Sequence, residues 1–296
     1  MTLYFTNRCH TPNCHILNNL LQIEMNISLS SSFMIAGFVG FNQGQGKDWG
    51  ISLLNKVTSS TIRHLFTRSE SVEVEVSCNP SSKLLQGTID SFKMTGSGLV
   101  IRKDFRTEEM SFETDAVSLD FSSALKGKIN LKQPTQAIAK VKLTEADLNR
   151  SFEAELVRKQ LENLSIPELG KISQGKPVSF SNIQLKLLLD NRIKISAKAQ
   201  WGNRSIPIGL SCSLFVAKRC KIKFENIQFE PENVPTSERQ ISQQLTEALG
   251  KILNEMVDLD RFDLNGVKLR LNRLETKGKS LLFSGYAQIQ RVPNQG

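Results

Sequence analysis

Apolar and basic residues alternate through much of the segment from Lys176 to Phe224, and this alternation constrains the fold more than any other feature of the chain. It is clearest in Arg192-Ile193-Lys194-Ile195 and in Lys221-Ile222-Lys223-Phe224. Successive side chains of a β-strand point to opposite faces, so a period of two predicts strands with one apolar and one cationic face. Turn residues divide the segment into four predicted strands, at about 178–189, 192–200, 204–217 and 220–229.

The same segment concentrates the positive charge of the protein. Ten Lys or Arg residues stand against a single acid, Asp190, and this excess of nine equals the net charge of +9 for all 296 residues. A cationic face backed by an apolar one suits an anionic partner that also has apolar parts. Phospholipid is therefore the first candidate partner, and nucleic acid is the alternative. The residues expected to meet lipid headgroups are Lys186, Arg192, Lys194, Lys198, Lys221 and Lys223.

Three amphipathic helices are predicted between the strands, because apolar residues recur there with a helical period. They cover about 49–66, 144–164 and 237–256. Thr144 with Asp147, and Ser237 with Gln240, have the spacing of capping boxes at the starts of the second and third helices. Further strands are predicted at about 72–76, 84–94, 98–105, 110–121, 137–143, 267–274 and 281–290, with glycines as bends or bulges.

This order of elements predicts an α+β fold in a single domain. Short turns join antiparallel neighbours, so we expect long, twisted antiparallel sheets wrapped around the amphipathic helices. The folded domain is expected to cover residues 47–292. Residues 1–46, rich in Asn and Ser, are expected to form a disordered or non-native leader, and residues 293–296 a short tail.

The residue types that enzymes and metal sites need are sparse. Only three histidines occur, and His64 stands in no motif for nucleophilic catalysis. The pairs Cys9-His10 and Cys14-His15 could bind zinc, but no further ligand pair follows them at the spacing of a metal site. The acidic run that begins at Asp258 lacks the glycine and the final glutamate of a calcium loop. The sequence thus predicts no enzyme, no metal, no cofactor and no small-molecule substrate.

The compartment follows only from weak signals. Five cysteines are too few for a disulfide framework, and free thiols indicate a reducing compartment. No run of 18 apolar residues predicts a transmembrane helix. The apolar tract Phe33–Phe41 is as long as the apolar core of a signal peptide, but a basic flank and a cleavage site are missing. We expect a cytoplasmic or peripheral membrane protein, with a secreted or periplasmic location as the alternative.

One segment resembles a known family. Residues 139–152, Ala-Lys-Val-Lys-Leu-Thr-Glu-Ala-Asp-Leu-Asn-Arg-Ser-Phe, run from a predicted strand into the start of a helix. The stretch Leu-Thr-Glu-Ala-Asp-Leu-Asn is similar to the pattern at a strand–helix junction of the bacterial LmeA-type phospholipid-binding family. Residues 84–92, Leu-Leu-Gln-Gly-Thr-Ile-Asp-Ser-Phe, and the predicted strands at 98–101 and 117–121 agree with that family. The resemblance covers roughly residues 50–292.

The resemblance implies an elongated lipid-binding fold, akin to tubular lipid-binding domains, that acts at membranes. The expected function is binding of anionic phospholipid at a membrane surface, in lipid transport or in envelope or membrane maintenance. Most apolar helix residues are expected to be core, and a minority are expected to line a groove for lipid tails: Leu245, Leu249, Ile252 and, on a strand, Phe224. A nucleic-acid-binding protein or a membrane-assembly scaffold that uses the basic sheet is the alternative.

Overall fold

A computed structural model describes residue 63 and residues 66–101, 104–118, 120, 131–261 and 267–290. The predicted leader and tail, most of the first predicted helix and both Cys-His pairs lie outside these residues. The β-strands of the described residues are β1 Ser71–Ser77, β2 Thr88–Ile89, β3 Ser91–Ile101, β4 Phe105–Thr114, β5 Val117–Ser118, β6 Thr135–Thr144, β7 Ser179–Leu187, β8 Arg192–Trp201, β9 Arg204–Ala217, β10 Lys221–Phe229, β11 Val267–Lys277 and β12 Ser280–Ile289. The α-helices are α1 Glu145–Glu153, α2 Glu155–Lys159, α3 Pro167–Ser173 and α4 Arg239–Met256.

Two large antiparallel sheets dominate the structure. A six-stranded sheet has the order β1-β3-β4-β6-β12-β11, and a four-stranded sheet has the order β10-β9-β8-β7. β2 and β5 form a separate two-stranded ladder. Every ladder is antiparallel, as the short connections predict. The protein is therefore a sheet-rich α+β protein, as expected from its sequence.

The main core lies between the inner face of the four-stranded sheet and the helices that cover it. Ile193, Leu210 and Leu249 are among its fully buried members, and Leu274 and Leu281 bring β11 and β12 of the other sheet into the same cluster. A second, smaller cluster on the six-stranded sheet contains Val72, Val74, Val76, Met94 and Leu99. The two sheets thus share one core at the β11–β12 side.

Two asparagines cover the outer strands of the four-stranded sheet. On α1, the amide of Asn149 accepts from the Leu185 N–H of β7 at 2.6 Å and donates to the Leu185 carbonyl at 3.0 Å. On α4, Asn254 makes the same pair of bonds with Phe224 of β10, at 2.9 Å and 3.1 Å. Each side-chain amide therefore takes the place that a further strand would otherwise occupy.

The structure corrects the predicted boundaries in the first part of the chain. A 3-10 helix at residues 81–86 takes the place of the start of the strand predicted from residue 84. β3 continues through Gly96 and Gly98, where bends or bulges were predicted. Gly98 has a φ of +55°, and a Cβ atom there would lie 2.2 Å from Cδ of Glu70. These glycines therefore admit close neighbours and a left-handed backbone within a strand instead of ending it.

The helices also differ from the prediction in three places. The predicted helix at 144–164 is interrupted at Ala154, whose backbone is extended at φ −58° and ψ 134°. The apolar period continues across this break, so periodicity could not reveal it. The short helix α3, which begins at Pro167, was not predicted. The predicted capping box of Ser237 and Gln240 is wrong, because a 3-10 turn covers Thr236–Glu238 and α4 begins after it without a side-chain cap.

Candidate functional site

The outward side chains of the four-stranded sheet form the surface that the sequence predicted as a headgroup site, here called the outer face. Lys186 on β7 lies opposite Lys194 on β8, and Lys223 on β10 lies opposite Phe215 on β9. The residues between these cations point inward: Ile193 and Ile195 are buried, and Ile222 and Phe224 pack partly buried against the core. On β8 the apolar residues are buried and the residues between them are not, as predicted, whereas all four residues of β10 from Lys221 to Phe224 are partly buried.

Two of the six predicted headgroup residues already have acidic partners. Lys194 Nζ lies 3.0 Å from Glu230 Oε2 and 3.6 Å from Glu232 Oε1. The hydrogen bond with Glu230 raises the pKa of Lys194, and bonds from Ser211 and then Lys194 lower the pKa of Glu230. Lys221 Nζ lies 2.7 Å from Oδ2 of the buried Asp258. The acids come after Phe224 in sequence, so the charge count that ended at that residue overstated the free charge of the sheet.

The other four cations keep their charge available to a partner. Lys186, Arg192 and Lys198 are exposed, Lys223 is half-buried, and none of them has an ion pair within 4.0 Å among the described residues. Arg192 stands near enough to Glu230 to contribute to the lowering of the pKa of that acid. A set of four unpaired cations, on the side of a sheet that faces away from the core, is a surface that attracts anions.

The residues predicted to line a groove for lipid tails lie in or against the core. Leu245 and Leu249 on α4 have 0% and 1% of their surface exposed, packed in the main core cluster. Ile252 and Phe224 are partly buried at the border of the same cluster. Gly250 lets α4 approach β10 closely, since a Cβ there would lie 2.4 Å from Cδ1 of Ile227. An acyl chain would reach Leu245 or Leu249 only if α4 separated from the sheet.

A second apolar surface lies on one face of the six-stranded sheet, for which the sequence predicted strands but no site. Its centre consists of small residues, Ala137, Ala139, Gly285 and Ala287, which the register places side by side on β6 and β12. Larger, partly buried side chains share this face, namely Met110, Phe112, Val141, Leu271 and Phe283. The face therefore has small residues in the middle and half-buried bulky ones around them, and we call it the apolar face.

Among the described residues, one group has the residue types and spacing of a metal site. Sγ of Cys220 and carboxylate oxygens of Asp258 and Asp260 lie within 4.8 Å of one another. Asp258 is paired with Lys221, and Asp260 is paired with Arg270 at 2.7 Å. A hydrogen bond to Asp260 raises the pKa of the Cys220 thiol. Because both carboxylates already have cationic partners and the thiol holds its proton, the cluster fits a structural link between β10, α4 and β11.

The strand–helix motif at residues 143–149 is explained by contacts of its polar side chains. Asp147 accepts from the Thr144 N–H at 2.9 Å, and Thr144 accepts from the Asp147 N–H at 3.1 Å, which completes the predicted capping box. Arg106 on β4 donates to Asp147 at 3.0 Å and also binds Glu70 and Glu108. Burial raises the pKa of Asp147, but the bonds from Thr144 and Arg106 outweigh burial and hold it below its usual value.

Two further residues of the motif attach α1 to the four-stranded sheet. Glu145 accepts from the Leu187 N–H at 2.9 Å, and Asn149 pairs with Leu185 on the same strand. The motif therefore joins β4 and β6 of one sheet to β7 of the other.

Comparison with protein-family models matches residues 46–285 to the family described as LmeA-like phospholipid-binding. The chain belongs to this family. The match covers most of the chain and includes both sheets and the strand–helix motif. The family is a lipid-binding one, which fits membrane association. No individual curated protein matches the chain significantly. Among the described residues, no helix is long and apolar enough to cross a membrane.

Proposed function

We propose that the protein binds anionic phospholipid at a membrane surface, without catalysis, in lipid transport or in envelope or membrane maintenance. The observation that carries this proposal is the set of four unpaired cations on the outer face: Lys186, Arg192, Lys198 and Lys223. Each basic side chain near an anionic bilayer contributes about 1 kcal/mol, so four of them support reversible docking without a membrane anchor. The membership in a phospholipid-binding family supports lipid, rather than another anion, as the partner.

The apolar face supplies the surface for an acyl chain in this proposal. Its partly buried residues Phe112, Val141 and Leu271 keep some surface in the folded protein, whereas Leu245 and Leu249 do not. A lipid tail gains about 0.8 kcal/mol for each buried CH₂ group, so even a partial contact on this face stabilises a bound lipid. We assign headgroup attraction to the outer face and tail contact to the apolar face.

Vesicle flotation tests the docking step. The variant carries Lys186→Gln, Arg192→Gln, Lys198→Gln and Lys223→Gln, and the vesicles contain either phosphatidylglycerol or only phosphatidylcholine. Wild-type protein is expected to float with the anionic vesicles and not with the neutral ones, and added salt should weaken binding because exposed charges are screened over about 10 Å at 0.1 M. The variant should stay at the bottom of the gradient.

A matched control removes the same charge elsewhere. Lys93→Gln, Lys140→Gln, Arg150→Gln and Lys268→Gln take four exposed cations from β3, β6, α1 and β11. This control should still float with anionic vesicles, and equal loss in both variants would show that net charge alone matters. A single-stranded oligonucleotide that displaces the protein from vesicles, and binds more tightly than they do, would favour the nucleic-acid alternative. Native mass spectrometry of gently purified wild-type protein should show a phospholipid adduct.

A further inference from the structure

Two hairpins of the four-stranded sheet end at the same edge of the molecule. Residues 188–191 join β7 to β8, and residues 218–220 join β9 to β10. β9 runs past the first hairpin, since the Leu214 N–H donates to the Asn191 carbonyl at 2.7 Å. We call this end of the sheet the hairpin edge.

The hairpin edge carries two of the three large apolar side chains that are exposed among the described residues. Leu189 in the first hairpin is 70% exposed, and Phe215 near the end of β9 is 53% exposed. β9 keeps a strict period of two here, so Phe215 follows Ser213 to the outer face while Leu214 points inward.

Cations surround these two side chains. Lys223 lies directly opposite Phe215 on β10, and Arg192 pairs with Ser213, which precedes Phe215 by one position on the same face. Lys218 is exposed in the second hairpin. Two exposed acids, Asp190 and Glu225, lie in the same region, so the basic residues remain in excess.

Both hairpins are held in place by β11. The amide of Asn191 donates to the Leu274 carbonyl at 3.1 Å and accepts from the Thr276 N–H at 2.8 Å. In the second hairpin, the Arg219 carbonyl accepts from the Leu271 N–H at 2.7 Å, and its guanidinium stacks over Tyr286 at 4.7 Å. The backbone that carries Leu189 and Phe215 is therefore held in place by these contacts. Binding does not have to order the two hairpins first.

From this arrangement we infer that the hairpin edge penetrates the interface of an anionic bilayer, with Leu189 and Phe215 below the headgroups and Arg192 and Lys223 at the phosphates. The inference rests on the proposed function and specifies how the outer face is oriented on the membrane. Exposed apolar side chains with basic neighbours match both parts of an anionic lipid surface, whereas a nucleic acid offers no apolar layer to receive Leu189.

Partition onto phosphatidylglycerol vesicles tests the inference with one double variant and one control. Leu189→Ser with Phe215→Ser should weaken partition at least tenfold, since burying each of these side chains contributes favourably to binding. Wild-type protein should keep a fraction of its binding at high salt, and the double variant should lose it. The control is Ile138→Ser, which removes the third exposed apolar side chain, 59% exposed on β6, and should bind as wild type. Thermal melts should match, because all three side chains are exposed.

A fluorescent reporter separates failure of this inference from failure of the proposed function. The tryptophan introduced by Leu189→Trp should emit at shorter wavelength on phosphatidylglycerol vesicles and be quenched by brominated lipid, and the one introduced by Ile138→Trp should do neither. If the Leu189→Trp variant binds vesicles as strongly as the wild type but its new tryptophan is neither shifted nor quenched, the inference is overturned and the proposed function stays intact. Loss of vesicle binding by the wild-type protein itself would overturn both.

Discussion

One strand of each sheet, β8 and β6, shows how differently inward-facing rows can be buried in this protein. On β8, every second residue from Ile193 to Trp201 is buried and the residues between them point to solvent. On β6, only Thr135 and Ala137 of the corresponding row are buried, and Ala139, Val141 and Leu143 keep part of their surface. β8 therefore gives its whole inward row to the core, whereas β6 keeps some apolar surface exposed.

This difference separates stability from binding. A strand that buries its whole inner face gives up its apolar surface on folding, so that surface contributes to the free energy of unfolding. A strand that buries only part of that face leaves some of the hydrophobic contribution to be gained when a lipid arrives. We therefore expect substitutions in the four-stranded sheet to act mainly on stability, and those on the apolar face to act mainly on lipid capture.

Two leucine truncations test this separation with the largest expected effect. Leu210→Ala, in the core of the four-stranded sheet with 1% exposure, should lower the free energy of unfolding by about 2–5 kcal/mol. Leu271→Ala, half-buried on β11, should cost about 1–2 kcal/mol, because less apolar surface is lost. Urea denaturation measures both. Equal costs, or co-purified phospholipid that is unchanged in Leu271→Ala, would contradict the distinction.

Removal of an edge amide has the next largest effect. Asn254→Ala leaves the N–H and carbonyl of Phe224 without their protein partner, which should cost about 1–3 kcal/mol. Gln243→Ala, on an exposed position of the same helix, is the matched control and should be nearly neutral. If the control costs as much as Asn254→Ala, the loss is not specific to the amide that caps the edge strand. The edge strand is also expected to aggregate more readily in the Asn254 variant.

Acid titration tests the junction between the sheets. The pKa of Asp147 is lowered in the folded protein, so its contribution to stability is present above the unfolded value of 3.8 and is lost as the pH falls through the folded value. Asp147→Asn should therefore reduce the loss of stability between about pH 7 and about pH 3. Asp115→Asn, exposed in the turn after β4, serves as control. If the free energy of unfolding falls equally with acid in the wild type and in the Asp147 variant, this role is ruled out.

The smallest effect is expected outside both sheets. The family match begins at residue 46, where the composition of the chain changes. We propose that residues 1–46 are dispensable for the fold, so their deletion should leave the thermal melting temperature unchanged. A clear drop on calorimetry would mean that this segment supports one of the sheets.

The sequence predicted the four-stranded sheet better than the six-stranded one for a physical reason. β8 alternates strictly because one side is buried and the other is solvated, and the ends of β7 to β10 were placed within a few residues. Glycines such as Gly98 were interpreted as bends or bulges, and they allow close packing inside β3.

For the candidate site, the sequence predicted which side chains of a strand point to the same side, but not their partners elsewhere in the chain. The partners of Lys194 and Lys221 come from residues 230, 232 and 258, beyond the basic segment, so a local charge count could not include them. The paired bonds of Asn149 and Asn254 join a side chain to a distant strand, and no periodic pattern reveals such a contact. Leu189 and Phe215 were missed as a pair because only the antiparallel register brings the two hairpins together.

The ladder between β6 and β12 has a consequence for biosynthesis. All ten residues of β6 pair with β12, and the whole four-stranded sheet lies between them in the chain. During synthesis, β1, β3, β4 and β6 leave the ribosome first, and the edge of β6 that pairs with β12 stays unpaired until β12 is made. The strands β7–β10 pair only with their neighbours in sequence, so this sheet can form as soon as they emerge. Limited proteolysis of stalled nascent chains should protect residues 179–229 before residues 135–144. The six-stranded sheet is completed last, so the final hairpin decides when the apolar face first exists as a surface.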